Sequence, residues 1–232
     1  MIVTNDIKTI SESDRLVLPG VGAFNECYKK LMSIEGLSEC ITNRVFKQNV
    51  PILGICVGLQ LMADRGFENL ETKGLGWISG QVKNLCPEDK KLKIPHMGWN
   101  EVYFNKDNNK FYDLSGENFY FVHSYYFDAG DKDNILGLTN YDQPFPSALI
   151  KGNIIGTQFH PEKSQRAGVE FIKRFKKEEN LNFEIPAREE IVKCFEEFYF
   201  GGDPGKDSKY WSGYITNEEL LVDKKFFDLL ES

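Results

Sequence analysis

The chain is notable first for what it has little of. No run of eighteen apolar residues occurs anywhere in its 232 residues, so it offers nothing of the length a membrane-spanning helix needs. The opening Met1-Ile2-Val3-Thr4-Asn5-Asp6 lacks the charged and apolar regions of a secretory signal, and a cytosolic, membrane-free protein is the expectation. Basic residues are short: 28 Lys and Arg face 35 Asp and Glu, a net charge of −7 that argues against nucleic acid as a partner. Histidine is scarce, with His96, His123 and His160 scattered singly, a poor basis for a zinc site; no metal and no cofactor are expected. The five cysteines, Cys27, Cys40, Cys56, Cys86 and Cys194, are odd in number and irregular in spacing, which fits neither a disulfide framework nor a CxxC metal site. Internal repeats and low-complexity tracts are absent. What remains, 41% hydrophobic and 27% charged, is ordinary globular composition, long enough for one α/β domain with a full core and a small appendage.

The stretch that organises the chain is Gly54-Ile55-Cys56-Val57-Gly58-Leu59-Gln60. It follows the apolar run Val50-Pro51-Ile52-Leu53, which reads as a buried parallel strand, and precedes a helical pattern expected to run to about Arg65-Gly66. A nucleophile between two glycines at a strand-to-helix turn is the nucleophile-elbow pattern, here with cysteine. The glycines would allow the sharp turn, and the start of the following helix would favour a thiolate. The plain alternative is a buried cysteine acting as a small hydrophobe.

Upstream, Arg15 to Leu18 reads as a strand ending at Pro19-Gly20-Val21-Gly22-Ala23-Phe24, and a helix broken near Gly36 follows. Gly20 and Gly22 leave this loop free to present amides to an anion, although taken alone the loop is better explained as a plain strand-to-helix turn. Downstream, Trp77 to Leu85, Glu101 to Phe104 and Asn118 to Tyr126 read as short strands, implying a mixed sheet or a second small sheet, with Ile94 to Asn100 as a loop of large side chains. Ser147 to Ile150 and Ile154 to Phe159 form a predicted hairpin, and a helix is predicted over Val169 to Lys176. Between them His160-Pro161-Glu162 places a carboxylate two residues from an imidazole in an extended segment, on the same side of it. A carboxylate holding one ring nitrogen leaves the other facing a nucleophile as base. Without Cys56 the segment would be read as a surface turn.

From Phe183 onward the chain carries twelve acids against six bases and ten of the 31 aromatics. Disordered tails are poor in aromatics, so residues 183–232 are expected to be a folded appendage or a docking segment, appended to a domain over residues 1–182.

With these pieces in place the chain resembles the class I, triad-type glutamine amidotransferases, and among them a glutaminase subunit of imidazole glycerol phosphate synthase. The resemblance spans about Met1 to Lys177 and rests on Leu18 to Phe24, Gly54 to Gln60, Pro95 to Asn100, Val122 to Tyr125 and Gln158 to Gln165. It implies an open mixed sheet flanked by helices. It also implies that Cys56 attacks the side-chain amide of glutamine, His160 shuttles the proton, and Glu162 orients His160. The backbone amides of Val21 and Val57 would form the oxyanion hole, and Gly22, Gln60, Ser124 and Tyr125 would hold the substrate's amino and carboxylate groups. Ammonia would pass to a (β/α)₈-barrel cyclase subunit faced by Met97, Trp99, Asn100 and Lys163.

Two departures accompany the resemblance. Its members begin with a strand and helix upstream of Met1, so a βα unit of roughly 30 residues is expected to be missing. The expectation is a truncated reading frame, the alternative an appendage that fills the gap. Residues 183–232 are the second departure. Competing readings are a paralogue supplying ammonia for sugar amidination in surface-polysaccharide synthesis, a catalytically impaired scaffold, and a cysteine peptidase, which the Gln60 and His123-Ser124-Tyr125 set suits poorly.

Overall fold

The strand carrying Cys56 is buried along its whole length, Ile52–Cys56, because both faces of a parallel strand are covered by other elements. A computed structural model of the chain describes residues 2–106 and 109–176, and residues 183–232 lie outside the described set. Of the described residues, Asn5–Lys176 belong to one compact unit. In chain order its elements are α1 (Ile7–Glu12), β1 (Leu16–Gly20), α2 (Phe24–Ser33), α3 (Leu37–Lys47), β2 (Ile52–Cys56) and α4 (Val57–Leu61). Next come β3 (Arg65–Gly66), β4 (Thr72–Lys73), β5 (Gly80–Asn84), β6 (His96–Phe104), α5 (Asn109–Tyr112), β7 (Glu117–His123) and β8 (Tyr125–Ala129). The series ends with β9 (Ile135–Tyr141), β10 (Gln143–Lys151), β11 (Ile154–Thr157) and α6 (Gln165–Lys176).

The main sheet has seven strands in the order β1-β2-β11-β10-β9-β6-β7, and β4-β3-β5-β8 form a second, smaller one. In the main sheet β1, β2 and β11 run parallel and the other pairs are antiparallel, while in the small sheet β3 runs parallel to β5 and antiparallel to β4, so the predicted alternatives, a mixed sheet or a second small sheet, are both present. The hairpin turning at Lys151 to Asn153 forms as expected, with Ala148 opposite Thr157. Phenylalanines fill the space between the sheet and α6: Phe171 stacks on Phe111 at 4.6 Å and meets Phe159 edge-on at 5.4 Å. Each such side chain contributes about 1.5–3 kcal/mol by burial.

Several local expectations change. The helix after Cys56 ends at Leu61 instead of running to Arg65-Gly66, since the chain turns there into the small sheet. Ile94 to Asn100 is not all loop: from His96 it is β6, alternating a buried His96 with exposed Met97 and Trp99. Pro95 and Gly98 disguised the period of two. The strand expected over Trp77 to Leu85 starts only at Gly80, and that over Asn118 to Tyr126 breaks at Ser124 to join two different sheets. Helix α1, capped by the Asp6 carboxylate on Thr9 N, and strand β9 were not foreseen.

Candidate active site

Cys56 ends β2 with φ 53° and ψ −113°, a left-handed conformation that costs a side-chain-bearing residue on the order of 1–3 kcal/mol. The strain of the turn therefore sits on the cysteine itself, a correction to the expectation that the flanking glycines supply it. Those glycines serve close packing: a Cβ at Gly58 would lie 1.8 Å from the Leu18 carbonyl oxygen, and one at Gly54 would lie 2.7 Å from Met62 Cε. Helix α4 is thus pressed against β1 and β2, and the sharp bend at Cys56 is what that proximity requires. With only five residues α4 carries a small dipole, so the helix start is a weaker source of positive potential than foreseen.

The sulfur is enclosed, with Cys56 4% exposed and part of the apolar core cluster, but polar groups reach it. Gln158 Nε2 lies 3.6 Å from Sγ, and the Val122 carbonyl lies 4.0 Å away. His160, one strand over, is a further neighbour. Because β11 runs parallel beside β2 with Thr157 opposite Ile55, the residues after Thr157 emerge alongside Cys56. His160 is then pinned from three directions: its N–H donates to Tyr120 O at 2.9 Å, its carbonyl accepts from Ser164 Oγ at 2.5 Å, and Ser164 in turn accepts from Tyr120 N at 3.0 Å.

Glu162 Oε1 lies 2.7 Å from His160 Nδ1, with side chains 12% and 2% exposed. The reach expected from the spacing is present, although the backbone does it through a 3₁₀ turn at Pro161–Lys163 and not through an extended segment. His160 Nε2 is buried without a hydrogen-bond partner. Burial alone would lower the imidazole's pKa, but the Glu162 carboxylate, the nearby Cys56 sulfur and the hydrogen bond to Glu162 outweigh it and raise it well above its ordinary value. Burial works to raise Glu162, and the His160 charge overrides this and holds the carboxyl below its usual range. Both shifts favour the charged forms, an imidazolium braced by a carboxylate, beside the Cys56 sulfur.

The remaining predicted residues fall into two groups around this pair. Gly20 pairs in register with Cys56, so Val21 and Val57 leave adjacent strand ends side by side. The Val21 carbonyl accepts from Cys27 Sγ at 3.2 Å, which orients the peptide that follows it, and burial raises the Cys27 thiol to about 11, so it stays a protonated donor. Gly22 is exposed, at φ +96°, with open space where a side chain would stand. Gln60 is buried and donates from Nε2 to the Tyr125 carbonyl at 2.9 Å and to Gln158 Oε1 at 3.0 Å, which brings Gln60 and Tyr125 together. Ser124 is half-buried at the break between β7 and β8. Away from the sulfur, Met97 and Trp99 are 42% and 46% exposed, the Trp99 ring meets Tyr120 edge-on at 5.9 Å, and Lys163 Nζ lies 5.9 Å from the same ring. Asn100 is on the opposite side of β6 from these, donating to the Asn140 carbonyl at 2.9 Å.

Sequence reasoning did not single out Ser164 or Gln158 as site residues, and it treated His96 and His123 as isolated. Gln158 was detectable as the residue two before His160; the histidine pair, 27 residues apart, was not. Among the described residues no cluster of three or more His, Cys, Asp or Glu side chains could hold a metal, and no helix is long and apolar enough to cross a membrane.

Comparison with known proteins agrees with this geometry. The family described as glutamine amidotransferase class-I matches residues 2–178. The imidazole glycerol phosphate synthase subunit HisH of Pelagibacter ubique is 45% identical over 174 residues, covering 75% of this chain and 84% of that protein. Subunits of the same description from Brucella melitensis (83% of its length) and Rhodospirillum rubrum (83%) are 43% and 44% identical, each over 75% of this chain. Among solved structures, a glutamine amidotransferase superimposes with TM-score 0.57 at 16% identity, over 75% of this chain and 85% of its own. The glutaminase domain of Trypanosoma brucei CTPS with bound acivicin does so with TM-score 0.52 at 16% identity, over 78% of each. At these identities the superpositions speak for the fold alone.

Proposed function

The chain belongs to the class-I glutamine amidotransferase family, and from that premise we infer that it is the glutaminase subunit of an imidazole glycerol phosphate synthase, an enzyme of histidine biosynthesis. The 42–45% identity to HisH subunits over three quarters of the chain supports this acceptor pathway over sugar amidination. The observation that carries the chemistry is the Glu162–His160 contact at 2.7 Å beside the Cys56 sulfur.

In this reading Cys56 Sγ attacks the side-chain amide carbon of glutamine. His160, having taken the thiol proton, returns it to the leaving nitrogen as ammonia departs. The thioester is then hydrolysed by water, with His160 as base, and glutamate is released. Glu162 keeps the ring oriented and stabilises its positive form. The amides of Val21 and Val57 receive the tetrahedral oxyanion, and one such donor is typically worth about 10²–10³ in rate. Gly22, Gln60, Ser124 and Tyr125 bind the substrate's amino and carboxylate ends.

The ammonia goes to a (β/α)₈-barrel cyclase partner. The exposed Met97 and Trp99, with Lys163 at the same Tyr120 ring, form the face assigned to it, with Asn100 supporting β6 from its other side, and large apolar and aromatic residues suit the centre of such an interface. We assign residues 1–182 to the amidotransferase domain and residues 183–232 to an appendage, and place the protein in the cytoplasm with its pathway. The test is glutamate release from glutamine by the full chain with a cyclase partner and its ligand present. Cys56→Ala should abolish it and the unaltered chain should restore growth of a histidine auxotroph lacking this subunit. Activity retained by Cys56→Ala would remove the proposed nucleophile.

A further inference from the structure

Three polar side chains buried next to the triad have no part in the reaction as written: Gln158, His123 and His96, which are 0%, 6% and 3% exposed. Their hydrogen bonds form a single connected set. His96 and His123 face each other across β6 and β7, directly paired in register, with His96 Nδ1 and His123 Nε2 3.0 Å apart. His123 Nδ1 lies 2.9 Å from the Tyr125 carbonyl, which can only accept. His123 therefore carries its proton on Nδ1 and accepts on Nε2, and His96 must donate from Nδ1 and accept on Nε2.

The other end of the set demands the same arrangement independently. Asn100 Oδ1 accepts from Glu101 N at 2.9 Å while its Nδ2 donates to the Asn140 carbonyl at 2.9 Å. With the amide fixed by both contacts, the second Nδ2 proton points at His96 Nε2, 3.3 Å away. A proton on that nitrogen would oppose another, so both rings must be neutral with one tautomer each. Burial agrees: it lowers His96 to about 4 and, with His96 adjacent, His123 to about 3, although the bond to Tyr125 works against the second shift. Stacking holds the His96 ring between Phe121 at 4.7 Å and Tyr141 at 4.0 Å.

The Tyr125 carbonyl takes its second hydrogen bond from Gln60 Nε2, whose other proton goes to Gln158 Oε1. That fixes the Gln158 amide so that its N–H, and not its oxygen, is presented to Cys56 Sγ at 3.6 Å. We propose that Gln158 is a positioning residue that donates a hydrogen bond to the Cys56 sulfur, and that His96 and His123 set its orientation through the Tyr125 carbonyl and Gln60. The inference rests on the reading of Cys56 as nucleophile. It adds a neutral donor to the imidazolium already facing the sulfur, and it makes two histidines 27 residues apart part of the site.

The test separates this from the nucleophile assignment by measuring the sulfur without catalysis. The full chain is treated with iodoacetamide at neutral pH, and alkylation of the Cys56 peptide is followed by mass spectrometry against the exposed Cys86 as internal reference. Gln158→Met keeps length and volume but removes the donor. Losing a hydrogen bond to a charged group is worth about 10–100-fold, and the gain in nucleophilicity of the freed sulfur returns roughly half of that on a logarithmic scale. Alkylation of Cys56 should therefore slow about 3–10-fold with Cys86 unchanged.

His96→Leu should give a loss in the same direction. His96→Asn, which keeps a donor near the Nδ1 position, should return the rate to within about threefold of the unaltered chain. In glutamate release the same variants should lower kcat and leave KM nearly constant. Wild-type alkylation in Gln158→Met overturns the proposal, and equal losses in His96→Leu and His96→Asn overturn the part given to the histidines. Should His96→Leu fail to fold, nitrogen NMR of the unaltered chain decides: two of the three histidines must carry the proton on Nδ1, and a proton on Nε2 of either refutes the arrangement. Glutamate release surviving in Cys56→Ala would sink the nucleophile assignment alone, since the alkylation rates do not depend on it.

Discussion

Folding stability should fall between pH 7 and 5.5, and the buried histidine pair should be the cause. Burial lowers His96 to about 4 and His123 to about 3 in the folded chain, whereas both titrate near 6.5 when unfolded. The unfolded chain then binds protons first as pH falls, so this contribution is complete above about 6.5 and is lost as pH drops toward the folded values. His160 has the opposite sign: its raised value makes its contribution complete below about 6.5 and lost only as pH rises. Glu162, held low, gives up its contribution only below the usual carboxylate range.

The loss of stability between about 6.5 and 5 therefore comes from His96 and His123. One pH unit below 6.5 each ring accounts for up to about 1.3 kcal/mol, and for the pair about 2 kcal/mol is a fair figure because His96 is less deeply enclosed than His123. For a chain of this size that is a fall in Tm of roughly 4–8 °C. Thermal and urea unfolding at pH 7, 6.25 and 5.5 measures it, with His96→Asn/His123→Asn as reference. That double variant also absorbs the opposite contributions of Glu68, whose carboxyl burial raises, and of His160. A wild-type curve that is flat across the window, or a slope that persists in the double variant, would refute the reasoning.

Three further outcomes follow from the contacts described. Glu162→Gln removes the charge that holds the imidazolium and should lower kcat about 10²–10⁴-fold with KM little changed, read from steady-state glutamate release. Gly58→Ala places a Cβ 1.8 Å from the Leu18 carbonyl oxygen, a backbone atom held in β1, and should cost about 3 kcal/mol or more in urea denaturation. Trp99→Ala, at a position 46% exposed, should leave the Tm of the isolated chain nearly unchanged and weaken binding of the cyclase partner by about 2 kcal/mol, roughly 30-fold, in calorimetry.

Features that depend on neighbours along the chain were legible before the fold. A buried apolar run ending in Gly-Ile-Cys-Val-Gly already specified a parallel strand and a bend, and His160-Pro161-Glu162 already put a carboxylate within reach of an imidazole, because both depend on spacings of a few residues. The hairpin around Gly152 was legible for the same reason. Misreadings arose where local signals were ambiguous: Pro95 and Gly98 masked the alternation of β6, and nothing in Leu61-Met62-Ala63 announced that the helix would stop.

Register was decided only by the tertiary structure. Alternation along a strand fixes which face a residue takes, but not which residue of another strand lies opposite. That depends on which pairing buries the whole sheet best. The parallel alignment of β2 with β11 brings Gln158 and His160 to a sulfur 102 and 104 positions earlier, and the β6–β7 pairing sets His96 against His123. The strain at Cys56 belongs to the same level: it exists because α4 is packed against β1 and β2, and packing is a property of the folded whole.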